Sequence, residues 1–357
     1  MAWPILNDSS SKRRNPMLVV DMGSRTTKSA LFEQRGENLA LTRYALLDAP
    51  IFEKKISPEL LASHLREIVQ KMDARPKSVT LTVGLDEVML KQIELPQVPV
   101  DDMRMIIKNN TKAYLQQDLP NYAFDCHIFV PKISAKPEAI AKMPMVPKLK
   151  VLVGGAKQEL LTTYRSAVTE AGFAVGAVVP GLVGPINAFE ASMPEAYANE
   201  TVALVDIGFR HSSICILDRG ELLLMRVVNI GGDRLTAGLA ESMNISYAEA
   251  EGIKIGMPGE VQAALEAQVQ PLGRELRASL DFFEHQQDRP VSRVYVSGAS
   301  SQSELILQIL HSEMVVECKS WNPAQFVQLA LPGQQAAEME HVAPQLTVAL
   351  GAALSTF

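Results

Sequence analysis

VVDMGSRTTKSALF, residues 19–32, decides the reading of this chain. Short apolar residues run into an acid, Asp21; Gly23 follows two positions on, and a polar cluster precedes a second apolar run. The pattern is strand, tight turn, strand, and aspartate and glycine form turns in many contexts. Taken alone, the stretch leaves open whether Asp21 turns a hairpin or holds a charged ligand.

The same pattern returns at Asp206. Laid without a gap, DMGSRTTKSALF covers DIGFRHSSICIL 185 positions later. Acid falls on acid, Gly23 on Gly208, Arg25 on Arg210, Thr27 on Ser212, and apolar on apolar. The next turns also agree: Gly36 lies 15 residues after Asp21 and Gly220 lies 14 after Asp206. Such a pair suits a phosphate clamp between two related lobes. A strand-turn-strand hairpin points backbone N–H groups at phosphate oxygens, and glycine lets the main chain come close. Hydroxyls at Ser24, Thr26, Thr27 and Ser212 would add donors, and Lys28 a point charge. Carboxylates at Asp21 and Asp206 would hold Mg2+ through its waters, since that ion keeps part of its hydration shell. The duplication also fits two related domains whose hairpins are purely structural.

Composition narrows the class. The 357 residues are 47% hydrophobic and 21% charged, enough for a sizeable core. A net charge of -6 argues against a general nucleic-acid binder. No apolar run approaches the roughly 18 residues a membrane helix needs. Cys126, Cys215 and Cys318 are scattered and odd in number, which is neither a disulfide framework nor a zinc pattern. Residues 1–16 read as a disordered lead, and 131–149, rich in proline and lysine, as an exposed loop. An amphipathic helix is expected over DDMRMIIKNNTKAYLQQ. VLVGGAK reads as a buried strand marking the return to α/β texture after an insert.

Beyond the two hairpins, further stretches carry a resemblance: IIKNNTKAYLQQDLPNYAFD, VLVGGAKQELLTTYRSAVTEAGF, VVNIGGDRLT, AEAEGIK, LGRELRASLDFF and VYVSGAS. Together they resemble the PilM family of actin-like type IV pilus assembly proteins and, next, the FtsA division proteins, within the actin, Hsp70 and sugar-kinase superfamily. The likeness runs from Leu18 over nearly the whole chain. It implies duplicated actin-like (RNase H-like) lobes around a nucleotide cleft, with an inserted subdomain of the FtsA/PilM type. The implied boundaries are 17–94 and 150–190 for the first lobe, 95–149 for the insert, 191–232 and 289–357 for the second lobe, and 233–288 for a helical subdomain.

The resemblance also implies site roles. Gly231, Gly232 and Thr236 would open a helix near the nucleotide. Glu251 and Lys254 would contact the adenosine, and Gly298, Ala299 and Ser300 would close over the adenine. Gly23, Ser24, Arg25, Thr26, Thr27 and Lys28 of the first phosphate loop and Gly208, Phe209 and Arg210 of the second would contact the nucleotide, and Asp206 would be the catalytic carboxylate. ATP and Mg2+ are the implied ligands, with at most a weak Mg-dependent ATPase activity. The implied partner is the N-terminal cytoplasmic tail of a PilN-like inner-membrane protein, bound between the first lobe and the insert, with other pilus assembly proteins as further candidates. The protein would be cytoplasmic and recruited to the inner-membrane face without inserting itself. ALGAALSTF reads as a packed helix rather than the membrane-binding tail of FtsA-like proteins, which favours the pilus reading.

This chain departs from the pattern in places. Ala299 replaces the second glycine of the late turn, Phe209 and His211 crowd the second phosphate loop, and Pro180 stands where an acid is usual. Those departures keep open a scaffold that has lost its nucleotide. A small-molecule kinase is a further alternative, for which the sequence offers no general base apart from Asp206.

Overall fold

The computed structural model describes residues 6–7, 16–53, 55–129, 148–256 and 258–356. A short strand β1 (Leu6–Asn7) is followed by the meander β2 (Met17–Met22), β3 (Thr26–Arg35) and β4 (Asn38–Asp48), helix α1 (Pro58–Lys71) and strand β5 (Ser78–Val83). Then come β6 (Val88–Pro96), α2 (Val100–Asn109), α3 (Thr111–Leu115), β7 (Tyr122–Ile128) and β8 (Lys148–Lys157). Helix α4 (Gln158–Glu170) and β9 (Ala174–Pro180) lead through α5 (Gly184–Ser192) and α6 (Pro194–Asn199) to a second meander, β10 (Thr201–Ile207), β11 (Ser212–Asp218) and β12 (Glu221–Val228). Helices α7 (Gly232–Met243), α8 (Tyr247–Gly256) and α9 (Gln262–Gln287) precede β13 (Arg293–Ser297), α10 (Glu304–Met314) and β14 (Cys318–Ser320). Strand β15 (Gln328–Leu329), α11 (Gly333–Val342) and α12 (Thr347–Ala353) close the chain.

The lobes repeat one topology. In the first sheet β2 pairs antiparallel with β3 and parallel with β5; in the second, β10 pairs antiparallel with β11 and parallel with β13. The gapless repeat thus corresponds to a repeated meander whose first strand has a parallel neighbour on its other side. Alternation along β2 explains the layering. Leu18 and Val20 pack with Leu61, Leu65 and Ile68 of α1 and Leu161 and Val168 of α4. Met17 and Val19 face the other way, against Leu346, Leu350 and Ala353. A strand buried on both faces reads as an unbroken apolar run, as LVV does. Each such side chain removed from water contributes roughly 1.5–3 kcal/mol.

The second sheet is built likewise. Ala203, Val205 and Ile207 pack with Leu272, Leu276 and Leu280 of α9, while Val202 and Leu204 face Ile186 and Phe189 of α5. Phe189 lies 4.7 Å from the Tyr295 ring and 5.3 Å from Trp321, centroid to centroid, and Asn187 of the same helix donates to the Gly351 carbonyl of α12, which packs on the first sheet, so α5 touches both lobes.

Several expected boundaries move. The insert is a three-stranded sheet in the order β6-β8-β7, so 88–94 and 150–157 belong to it rather than to the first lobe. VLVGGAK is its central strand, pairing with β6 and β7 at once. Leu95, Met103, Ile107, Leu115, Val151 and Val153 give the insert its own core. The single helix expected over 101–117 breaks at Asn110, whose φ of -136° and ψ of 43° leave the helical region.

The C-terminal stretch also changes lobe. Gln328–Leu329 pair with Ala40–Leu41, and α11 and α12 supply Met339, Val342, Ala349 and Leu350 to the first-lobe core. The physical reason is that the first sheet's second face would otherwise be left bare. Of the expected disordered lead, Leu6–Asn7 form a strand on Val178 and Ala177, using the backbone groups that the outer edge of β9 offers. The remainder of 1–15, and 130–147 of the expected loop, lie outside the described residues.

Candidate functional site

Both aspartates end the first strand of their lobe and are held alike. Asp21 accepts a hydrogen bond from the Thr82 hydroxyl at 2.9 Å, and Asp206 accepts one from the Ser297 hydroxyl at 2.7 Å. Thr82 and Ser297 lie on β5 and β13, the parallel neighbours in each lobe. The sequence marks these donors only by a hydroxyl two positions before Gly84 and one before Gly298.

Between the aspartates sits Lys28. Its Nζ donates to Asp21 at 3.2 Å. Burial works to lower the Lys28 pKa, but the Asp21 and Asp206 carboxylates outweigh it and raise the value. Burial drives the Asp206 pKa upward and the Asp21 charge adds to this, against the Ser297 hydroxyl and the Lys28 ammonium. Like carboxylates brought together with one cation between them are what a further cation would relieve.

The glycines are there for close approach. A Cβ on Gly23 would strike the Thr26 carbonyl oxygen, and one on Gly208 would lie 2.7 Å from the His211 carbonyl oxygen. On Gly231 it would meet the Phe209 and Gly208 carbonyls. Those carbonyls are in use: Gly232 and Asp233 N–H donate to Gly208 and Phe209, each at 2.9 Å. The second hairpin is therefore seated on the N-terminus of α7. Gly298, at φ 89°, passes over the Ile207 carbonyl. Ala299 begins a 3-10 turn (Ala299–Gln302) and is not among the residues with positive φ, so alanine fits there.

Glu251 and Lys254 share one face of α8, as their spacing predicts. Lys254 donates to Glu251 at 2.8 Å and to the Thr236 hydroxyl at 2.7 Å, while Thr236 donates to Glu251. Burial would raise the Glu251 pKa, but these bonds and the Lys254 and Arg25 charges outweigh it and lower the value.

These groups line a cleft of about 1340 Å³. Its wall includes Asp21, Gly23, Ser24, Arg25, Thr26 and Lys28 from the first lobe. From the second it includes Asp206, Gly208, Phe209, Arg210, Gly232, Glu251, Lys254, Gly298, Ala299 and Ser300. Gly231 lies beneath the wall, behind Gly208 and Phe209. Two expected donors turn away. The Thr27 hydroxyl is buried against His64 Nε2 at 2.9 Å, and the Ser212 hydroxyl donates to the Ile230 carbonyl at 2.6 Å. Successive strand residues point to opposite faces, so Thr26 and Ser213, one position away, face the cleft instead. The wall also includes Asp86, Glu87 and Tyr164, which sequence reading missed. Burial and the neighbouring Asp86 raise the Glu87 pKa, against the Lys157 charge.

Among the described residues, no cluster of three or more His, Cys, Asp or Glu forms a metal cage. The two aspartates fit instead a hard cation that keeps its waters, the mode expected of Mg2+. No described helix is long and apolar enough to cross a membrane.

The fold is shared with solved structures. A PilM–PilN type IV pilus biogenesis complex aligns with a TM-score of 0.81 at 22% identity, covering 96% of this chain and 98% of the other. The ethanolamine utilization protein EutJ of Carboxydothermus hydrogenoformans aligns at 0.55 and 15% identity, over 96% and 92%. MreB 5 of Spiroplasma citri, bound to AMPPNP, aligns at 0.51 and 10%, over 96% of both chains. Cell division protein FtsA of Bacillus subtilis (strain 168) is 33% identical over 70 residues, which is 20% of this chain and only 16% of that protein's length. The family described as type IV pilus assembly protein PilM matches residues 19–357. The chain belongs to the PilM family of type IV pilus assembly proteins.

Proposed function

We propose that this protein is an actin-like, ATP-binding adaptor of type IV pilus assembly that binds the cytoplasmic tail of a PilN-like inner-membrane protein and is thereby recruited to the inner-membrane face. The observation that carries the nucleotide part is the facing pair of Asp-x-Gly hairpins with Lys28 between Asp21 and Asp206. The hairpin backbones and Lys28 bind the phosphates, Glu251 and Lys254 contact the adenosine, and the Gly298–Ser300 turn closes over its base. Mg2+ on Asp21 and Asp206 supplies charge neutralisation for the phosphates. The partner tail lies between the first lobe and the insert. The PilM–PilN likeness supports that partner.

The test is melting with and without ligand. Mg-ATP at millimolar concentration is expected to raise the melting temperature by mass action on the folded state, and Asp21→Ala to abolish the shift. A synthetic PilN-tail peptide is expected to bind in both proteins, because its site is separate. No shift at millimolar Mg-ATP would leave a nucleotide-free scaffold, a reading that Phe209 at the second hairpin tip favours. Sugar-stimulated turnover, with Asp86 or Glu87 as base, would sink the adaptor reading.

A further inference from the structure

Arg25 stands at the tip of the first hairpin, and its guanidinium leaves its own lobe. Nη1 lies 3.6 Å from Glu251 Oε1, and Cζ lies 5.2 Å from the centroid of the Phe209 ring and 5.9 Å from that of Tyr247. All three partners lie across the cleft, Phe209 in the second lobe and Tyr247 and Glu251 in its helical subdomain. Tyr247 and Glu251 are one turn apart on the same face of α8, and Phe209 comes from the facing hairpin tip. The platform is braced: the Tyr247 hydroxyl donates to Asp233 at 2.9 Å, and the other Glu251 oxygen is held by Lys254. A planar guanidinium over aromatic faces, paired with a carboxylate at its edge, is an arrangement that arginine makes and lysine does not.

The contact also accounts for Phe209. In the duplicated hairpins Phe209 occupies the position of the small, exposed Ser24, and its bulk does nothing for a phosphate. It gives the arginine of the opposite lobe a surface to lie on. We infer that Arg25, Phe209, Tyr247 and Glu251 form an autoinhibitory clasp across the mouth of the cleft, which a nucleoside polyphosphate must open before it can reach Glu251. This rests on the nucleotide-binding reading above. The clasped form is closed to ligand, so apparent affinity falls by the fraction of molecules left open. With the Arg25 side chain 42% exposed, the clasp is weak enough to be opened by a ligand.

The test uses the full-length protein and two measurements. Without nucleotide, Arg25→Ala is expected to speed amide hydrogen exchange in residues 208–211 and 247–256, with Arg25→Lys falling between it and the parent. By calorimetry, Arg25→Ala is expected to bind Mg-ATP ~3- to 10-fold more tightly than the parent, the range that an exposed ion pair and cation–π contact support. Adding Phe209→Leu is expected to give no further gain, because both changes open the same contact. Equal or weaker Mg-ATP binding by Arg25→Ala would overturn the clasp while leaving nucleotide binding intact. Unchanged exchange in both segments would overturn it too. Absence of Mg-ATP binding in parent and variant alike would instead take down the nucleotide reading, and the clasp's gating role with it.

Discussion

Asp21 and Asp206 end equivalent strands, and each accepts from a hydroxyl on the parallel neighbour, Thr82 in one lobe and Ser297 in the other. Beyond that the hairpins diverge. Directly across the first, Asp21 faces Lys28; at the same place in the second, Asp206 faces Ser213. The first hairpin's tip is exposed Ser24 and Arg25, whereas the second hairpin's tip carbonyls are tied to the start of α7. Duplication kept the scaffold and divided the work: charge sits in the first hairpin, and packing against a neighbouring helix in the second. If so, the first should be sensitive to changes of charge and the second to changes of volume.

The largest effect is expected from volume in the second. Gly231→Ala puts a Cβ 2.6 Å from the Gly208 carbonyl oxygen and against that of Phe209, all backbone that cannot swing aside. A loss of ~3 kcal/mol in urea unfolding is expected. Gly252→Ala, on α8 with nothing within 4 Å, is the control and should be neutral or mildly stabilising. Equal effects from the two would show that the Gly208–Phe209 seat yields and that packing is not what the second hairpin supplies.

Charge in the first hairpin comes next. Lys28→Met removes the cation between two carboxylates, and a loss of ~2 kcal/mol is expected near neutral pH. The Lys28 pKa is raised in the folded state. Its contribution is therefore fully present below the ordinary lysine range and is lost only as pH climbs through the raised folded value, so the deficit should hold steady from about pH 7 to 9. It should shrink in acid as the carboxylates take up protons. A deficit indifferent to acid would mean that Lys28 contributes through its aliphatic stem rather than its charge.

How far the sequence showed this depends on the kind of feature. The hairpin pair was legible because Asp, Gly and the apolar runs recur without a gap, and the Glu251–Lys254 face because helical spacing is local. The faces of Thr27 and Ser212 are not legible because TTKS opens β3 and SS opens β11, all of them polar. No polar-apolar alternation then marks which residue looks into the cleft, and a slip of one reverses every side chain. The lobe that residues 328–353 join is not legible because their partners, Leu41 and Val19 among them, are some 300 positions away, a separation local patterns do not encode. The sheet that residues 88–94 join is not legible because β6 follows β5 after a short turn, and only its pairing with β8 takes it out of the first sheet. Arg25 was read as a ligand residue, and its reach to Glu251 exists only once the lobes face each other.

The smallest effect is the most discriminating, because its sign differs between the hairpins. Asp206 has its pKa raised by burial and by Asp21, so its ionised form is disfavoured in the folded state. That penalty is absent below the ordinary carboxylate pKa, grows as pH rises through it, and is complete above the raised folded value. Asp206→Asn keeps an acceptor for Ser297 and removes the charge, so a gain of ~1 kcal/mol is expected at neutral pH, vanishing toward about pH 4. Asp21→Asn, by contrast, strips Lys28 of its direct partner and should destabilise under the same conditions. Urea unfolding of both variants, without Mg2+ or nucleotide, checks the pair. Losses of equal size would mean that Lys28 serves both carboxylates alike and that the two halves of the clamp are electrostatically equivalent. Opposite signs would place the stability cost of the site in the second hairpin, where a bound cation has the most to relieve.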